Sequence, residues 1–162
     1  MEMTIQLLQD AFFAAIAAIG FAAISHPPRR AYKWCALIAA AGHATRYLLM
    51  HIGSSPMHII PASLIASFVI GTLAVFIASY AKFPAETCTF PALLPMIPGI
   101  YAYKTFAGLA LCIFSSQEWT FDHNFYLCMT NGLTCGAILL CMVIGGTVPI
   151  FIFKKIAFQS TR

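Results

Sequence analysis

Charge is what this sequence has least of. Only 9% of its 162 residues are Asp, Glu, Lys or Arg, against about 25% in a soluble globular domain. That deficit excludes a water-facing surface of ordinary size. Acid is scarcer than base: five Asp+Glu stand against nine Lys+Arg, for a net charge of +4. No basic run lies beside aromatics in the way a nucleic-acid groove needs, so nucleic acid is not an expected partner. No Lys or Arg precedes the first apolar run, whose flank carries Glu2, so the positive leader of a secretory signal is missing. The six cysteines form no C-x-x-C pair and all fall in apolar segments. They read as small reduced hydrophobes in helix packing, not as a redox or zinc motif. There is no H-E-x-x-H, no G-x-S-x-G and no phosphate loop, so no enzyme or cofactor site is expected.

What is present in quantity is apolar surface, at 60% of residues. A helical span needs about 20 apolar residues to cross a bilayer core of about 30 Å. The chain divides into about five such segments, near 4–25, 31–52, 59–81, 88–114 and 125–153. The expected fold is therefore all-α, a polytopic membrane helix bundle forming a single membrane domain over 1–162. Its breaks are the loop His26-Pro27-Pro28-Arg29-Arg30, the uncharged turn Gly53-Ser54-Ser55-Pro56, the connection from Lys82 to Glu86 around Pro84, and the loop from Ser115 to Asn124.

The basic residues give the crossings a direction. Arg29, Arg30 and Lys33 follow span one, Lys82 follows span three, and Lys154, Lys155 and Arg162 follow span five. With five spans, all lie on one side, while the other side carries Glu2, Glu118 and Asp122. The positive-inside rule then puts the N-terminus outside and the C-terminus in the cytoplasm. Small-residue stripes, Ser63-Ser67-Gly71 on span three and Gly132-x-x-x-Gly136 on span five, favour close helix packing or a partner chain.

Ionisable groups inside spans are costly, about 2.5–3.5 kcal/mol at the centre on insertion scales, and mark function by default. His43 and Arg46 are three apart and share a face of span two. Together they suit an anion, with Arg46 gripping a carboxylate and His43 available for a proton; the alternative is Arg46 snorkelling to the interface. His51, at the span end, reads as interfacial. Asp10 lies about two turns into span one, at a depth that suits pairing with Arg46, either structurally or as a gate. Asn131, Thr130 and Thr134 read as interhelical glue or as the lining of a path.

The most specific local feature is Pro91-Ala92-Leu93-Leu94-Pro95-Met96-Ile97-Pro98-Gly99. Each proline removes an N–H and disrupts the helix before it. The spacing predicts a fourth span broken into two half-helices. It leaves the N–H groups of Gly99, Ile100 and Tyr101 open after Pro98, with Tyr101, Lys104 and Thr105 following on one face. Such a helix start suits an anion, and broken helices near the midplane are a transporter device. The alternative is a plain proline kink with Lys104 snorkelling.

Several short patterns then occur in order: Gln9-Asp10, Gly20-Phe21-Ala22, Pro28-x-Arg30-Ala31, Trp34-Cys35-Ala36-Leu37, Gly42-His43-x-x-Arg46, Pro95-Met96-x-Pro98-Gly99-x-x-Ala102-Tyr103 and Thr130-Asn131-x-Leu133-Thr134. Across nearly its whole length the chain resembles the small subunit (YjjB type) of the split threonine/serine exporter family. The resemblance implies a bacterial inner-membrane subunit working with a larger YjjP-type membrane subunit to export succinate, and leaves room for a higher oligomer. Fused relatives export threonine and serine. Lys104 and His26-Pro27 depart from the residues expected there. The expected substrate contacts are His43, Arg46, Pro98, Gly99, Ile100, Tyr101 and Lys104, with Asp10, Asn131 and Thr134 as gating or structural polar groups. A purely structural membrane subunit is the other class.

Overall fold

The computed structural model describes residues 2–52 and 56–157. Gly53, Ser54 and Ser55 of the expected turn, and Arg162 of the basic tail, lie outside the described residues. All regular structure among the described residues is helical: α1 (Glu2–Ile24), α2 (Ala31–His51), α3 (Ile59–Ala81), α4 (Glu86–Leu93), a 3-10 turn (Leu94–Met96), α5 (Gly99–Ile113), α6 (Glu118–Ile152) and α7 (Lys154–Ala157).

The boundaries follow local chemistry. Glu2 in the first turn of α1 suits the positive end of the helix dipole. At its other end His26 turns left-handed at φ 46, and Pro27-Pro28 cannot continue a helix. The ring nitrogen of His58 accepts the Ile60 N–H at 3.4 Å and caps α3. Lys82 closes α3 in a left-handed conformation at φ 56, costing a non-glycine residue about 1–2 kcal/mol. α6 starts at Glu118, not after Asn124. The polar run that ends an apolar span does not end the helix, because exposed backbone can stay helical in water as well as in lipid.

Two compact units divide the chain, one over 1–96 and 141–162, the other over 97–140. In the first, α1 packs on α2 through Ala14, Ala18 and Ala22, four apart and buried. The expected Ser63-Ser67-Gly71 stripe of α3 is buried as well. Ser67 Oγ donates to the Cys141 carbonyl at 3.2 Å, and a Cβ on Gly71 would lie 2.5 Å from the Gly146 carbonyl oxygen. The core is thus built on close backbone approach, as helix pairs in lipid require. In the second unit, α5 packs on the first half of α6. A Cβ on Gly108 would lie 3.0 Å from the Asn124 carbonyl oxygen, and Cys112 Sγ–H donates to the Phe121 carbonyl at 3.7 Å. All six cysteines are free thiols.

Among the described residues, three helices are long and apolar enough to cross a bilayer: α1, α3 and α6. The pair interrupted at Ile97-Pro98 makes a fourth if taken as one span. The 21-residue α2 has the length to cross, but Lys33, His43, Arg46, Tyr47 and His51 dilute its hydropathy.

Candidate functional site

The ionisable residues of α1 and α2 meet in the first unit. His43 Nδ1 lies 3.1 Å from Asp10 Oδ2. A carboxylate accepts, so the imidazole Nδ1–H donates. His43 is only 5% exposed, and its other ring nitrogen, Nε2, is buried with no hydrogen-bond partner among the described residues. Asp10 therefore meets His43, not Arg46 as its depth had suggested. Three residues along a helix leave about 60° between side chains, and α1 faces the His43 side of that angle. Arg46 turns to the chain break instead. Its Nη1 donates to the Met96 carbonyl at 3.0 Å. His43 and Arg46, one turn apart on α2, thus gather Asp10, the imidazole, the guanidinium and the Met96 carbonyl into one polar cluster.

The Met96 contact has a clear cause. In a continuous helix the Met96 carbonyl would accept the Ile100 N–H. Here Gly99 N–H folds back onto the Ile97 carbonyl at 2.8 Å, and the next helical bond runs from Ala102 N–H to the Pro98 carbonyl at 3.1 Å. The Met96 carbonyl is left over beside a fully buried side chain. An unsatisfied buried carbonyl costs about 1–3 kcal/mol, and Arg46 removes that cost. Pro91 is answered the same way. It sits inside α4 without breaking it, and the Thr87 carbonyl it deprives of an N–H accepts from Cys35 Sγ at 3.6 Å.

Tyr47, Gln6 and the Met96 carbonyl escaped sequence reasoning, and His51, expected only as interfacial, joins them beside this cluster. Tyr47 Oη donates to Gln6 Oε1 at 2.7 Å. The Tyr47 and His51 rings stack at 4.1 Å, and His51 Nδ1 donates to the Tyr47 carbonyl at 2.9 Å. The signal was present as spacing: His43, Tyr47 and His51 recur every four residues on α2, opposite Gln6 and Asp10 on α1. The Met96 carbonyl carried no such signal, because a backbone group is not written in side chains.

The remaining expected site residues belong to the second unit. Pro98 is buried and caps α5; Gly99 and Ile100 are exposed; Tyr101 is half-buried; Lys104 is exposed. Because Gly99 N–H is spent on Ile97, the open amides at this helix start are Ile100 and Tyr101, two rather than three. Thr105 shares a turn with Tyr101 and donates to its carbonyl at 2.8 Å. Asn131 Nδ2 donates to the Leu127 carbonyl at 2.7 Å and Thr134 Oγ1 to the Thr130 carbonyl at 2.8 Å. Both spend those bonds on their own helix, not between helices. Among the described residues no cluster suits a metal ion.

Long apolar helices with large apolar side chains turned outward, as at Leu8, Phe12 and Phe13, together with a buried imidazole and a half-buried guanidinium that find partners within the chain, define a multi-pass membrane protein. Residues 10–152 match the family described as "Threonine/Serine exporter, ThrE", and the chain belongs to that family. It is also similar to an uncharacterized protein of Haemophilus influenzae, at 36% identity over 143 residues. That match covers 88% of this chain and 47% of the other, so the chain spans about half the length of this curated relative. No solved structure matches it.

Proposed function

We propose that this chain is one subunit of a secondary exporter for a small carboxylate, with Arg46 as the anchor. Membership of an exporter family supports the transport class. The observation that carries the anchor is the Arg46 guanidinium, half-buried and holding a neutral carbonyl through one nitrogen. A carboxylate offers that group a charge-assisted, two-pronged contact that a carbonyl cannot match. In this reading the chain crosses a bacterial inner membrane five times, N-terminus outside. A larger YjjP-type subunit supplies the other half, in keeping with a relative twice as long.

Succinate and threonine or serine are the two solutes implied by the resemblance. The cluster favours the second. Asp10 is held by His43, one turn from Arg46 on α2, and a second solute carboxylate placed about 6 Å from it would be repelled by about 3 kcal/mol at an effective dielectric of about 20. A dicarboxylate meets that repulsion, whereas the ammonium of an amino acid meets attraction.

The test is export of threonine and of succinate from cells with and without this chain and its partner. Threonine efflux should rise only when both chains are present. Equal efflux of both solutes in both strains would remove the transport reading. An Arg46→Ala chain that assembles and exports normally would leave a structural subunit, a reading that the Arg46–Met96 contact also favours.

A further inference from the structure

The Arg46 nitrogen that holds the backbone of the broken helix, Nη1, is also one that a solute carboxylate gripping the end of the guanidinium takes. We infer that the Arg46–Met96 contact is a latch, and that solute binding releases it. The inference rests on the carboxylate anchor proposed above and adds what binding does to the protein.

The Met96 carbonyl is free only because the chain breaks at Ile97-Pro98. Its helical donor, the Ile100 N–H, belongs to a helix that starts afresh at Gly99. No backbone donor among the described residues reaches it, and the Arg46 Nη1–H does so at 3.0 Å. Asp10, the nearby carboxylate that would otherwise hold Arg46, is engaged by His43 at 3.1 Å. The Asp10–His43 pair thus leaves the guanidinium to the carbonyl. An incoming carboxylate carries full charge and two parallel acceptors; gripping both Nη groups end-on, it competes for the nitrogen that now holds a single neutral oxygen and turns the group away from Met96. The Met96 carbonyl then loses its partner in a place where lipid offers none. Irregular backbone at membrane depth persists only when protein or water satisfies it. The segment from Leu94 to Gly99 must therefore shift or admit water. Occupancy of Arg46 is thereby converted into movement of the break.

Hydrogen exchange of the full chain with its partner subunit, in lipid nanodiscs, tests this at the amides of Met96, Ile97 and Gly99. Without solute, Arg46→Ala should raise their exchange about tenfold, the effect of losing one charge-assisted hydrogen bond. Arg46→Gln, whose side-chain amide still donates but carries no charge, should stay closer to the parent. L-threonine should raise exchange in the parent and leave Arg46→Gln unchanged. If Arg46→Ala folds and its exchange matches the parent, there is no latch; if it does not fold, the threonine response of parent against Arg46→Gln decides. Threonine that binds at saturation without altering exchange overturns the latch and leaves the anchor intact. If neither threonine nor succinate binds, the anchor fails and the latch with it.

Discussion

Asp10 and His43 set the terms at the scale of single residues. Asp10 retains 39% side-chain exposure while His43 keeps 6%, so the pair opens at the surface of the chain on the Asp10 side only. Removing a partner from a fully buried pair costs about 3–5 kcal/mol, and partial exposure reduces that. His43→Ala is expected to destabilise the folded chain by about 1–2 kcal/mol, read as a lowered melting temperature in detergent. Asp10→Asn keeps a hydrogen-bond acceptor and should cost less in stability. It should nonetheless shift export from threonine toward succinate, because it deletes the repelling charge. A threonine-to-succinate ratio unchanged by Asp10→Asn would remove Asp10 from solute selection. That His43 and Arg46 would need polar partners was legible in sequence, since burying such groups in an apolar helix is costly. Which of them Asp10 meets was not. Counting turns gives depth along a helix, but the direction a side chain faces depends on how the neighbouring helix is rotated.

Among the elements, the interrupted fourth segment and the small-residue faces carry the fold. The break was legible because each proline removes a hydrogen bond at a known offset. Its extent was overestimated: Pro91 stays helical, since Cys35 satisfies the carbonyl it exposes. No spacing rule announces such a long-range thiol. Pro98→Ala restores an N–H at the break, and the expected result is a more continuous helix, normal assembly and reduced export. Unchanged export from that variant would make the break incidental. The glycine motifs divide in the same instructive way. A Cβ at Gly71 would meet the Gly146 carbonyl at 2.5 Å, whereas a Cβ at Gly136 meets nothing within 4 Å. Gly71→Ala should therefore cost about 1–3 kcal/mol through overpacking. Gly136→Ala should be neutral or stabilising by up to about 1 kcal/mol through helix propensity. Both motifs looked alike as sequence, because spacing places residues on a face without saying what that face touches.

At the scale of the whole molecule, crossing number and direction are coupled. The lone long helix α6, at 35 residues, extends about 52 Å against a bilayer core of about 30 Å. One end must leave the membrane, and the end carrying Glu118, Asp122 and His123 is the polar one. Lys154 and Lys155 mark the opposite end, which in the proposed orientation the positive-inside rule would retain in the cytoplasm. α2 decides the rest. If it crosses, Lys33 and His58 lie on opposite sides, and the basic residues at 29–33, 82 and 154–155 share a side. If it does not, the residues at 29–33 fall on the side opposite 82 and 154–155, and the charge asymmetry dissolves. Alkaline phosphatase fused after Lys33, Lys82 or Lys155 should be inactive, whereas fusions after His58 or Gln117 should be active. Equal activity after Lys33 and His58 would take α2 out of the membrane. Arg46 would then sit at a water interface, where a carboxylate contact is worth far less, and the export proposal would lose its anchor together with its fifth span.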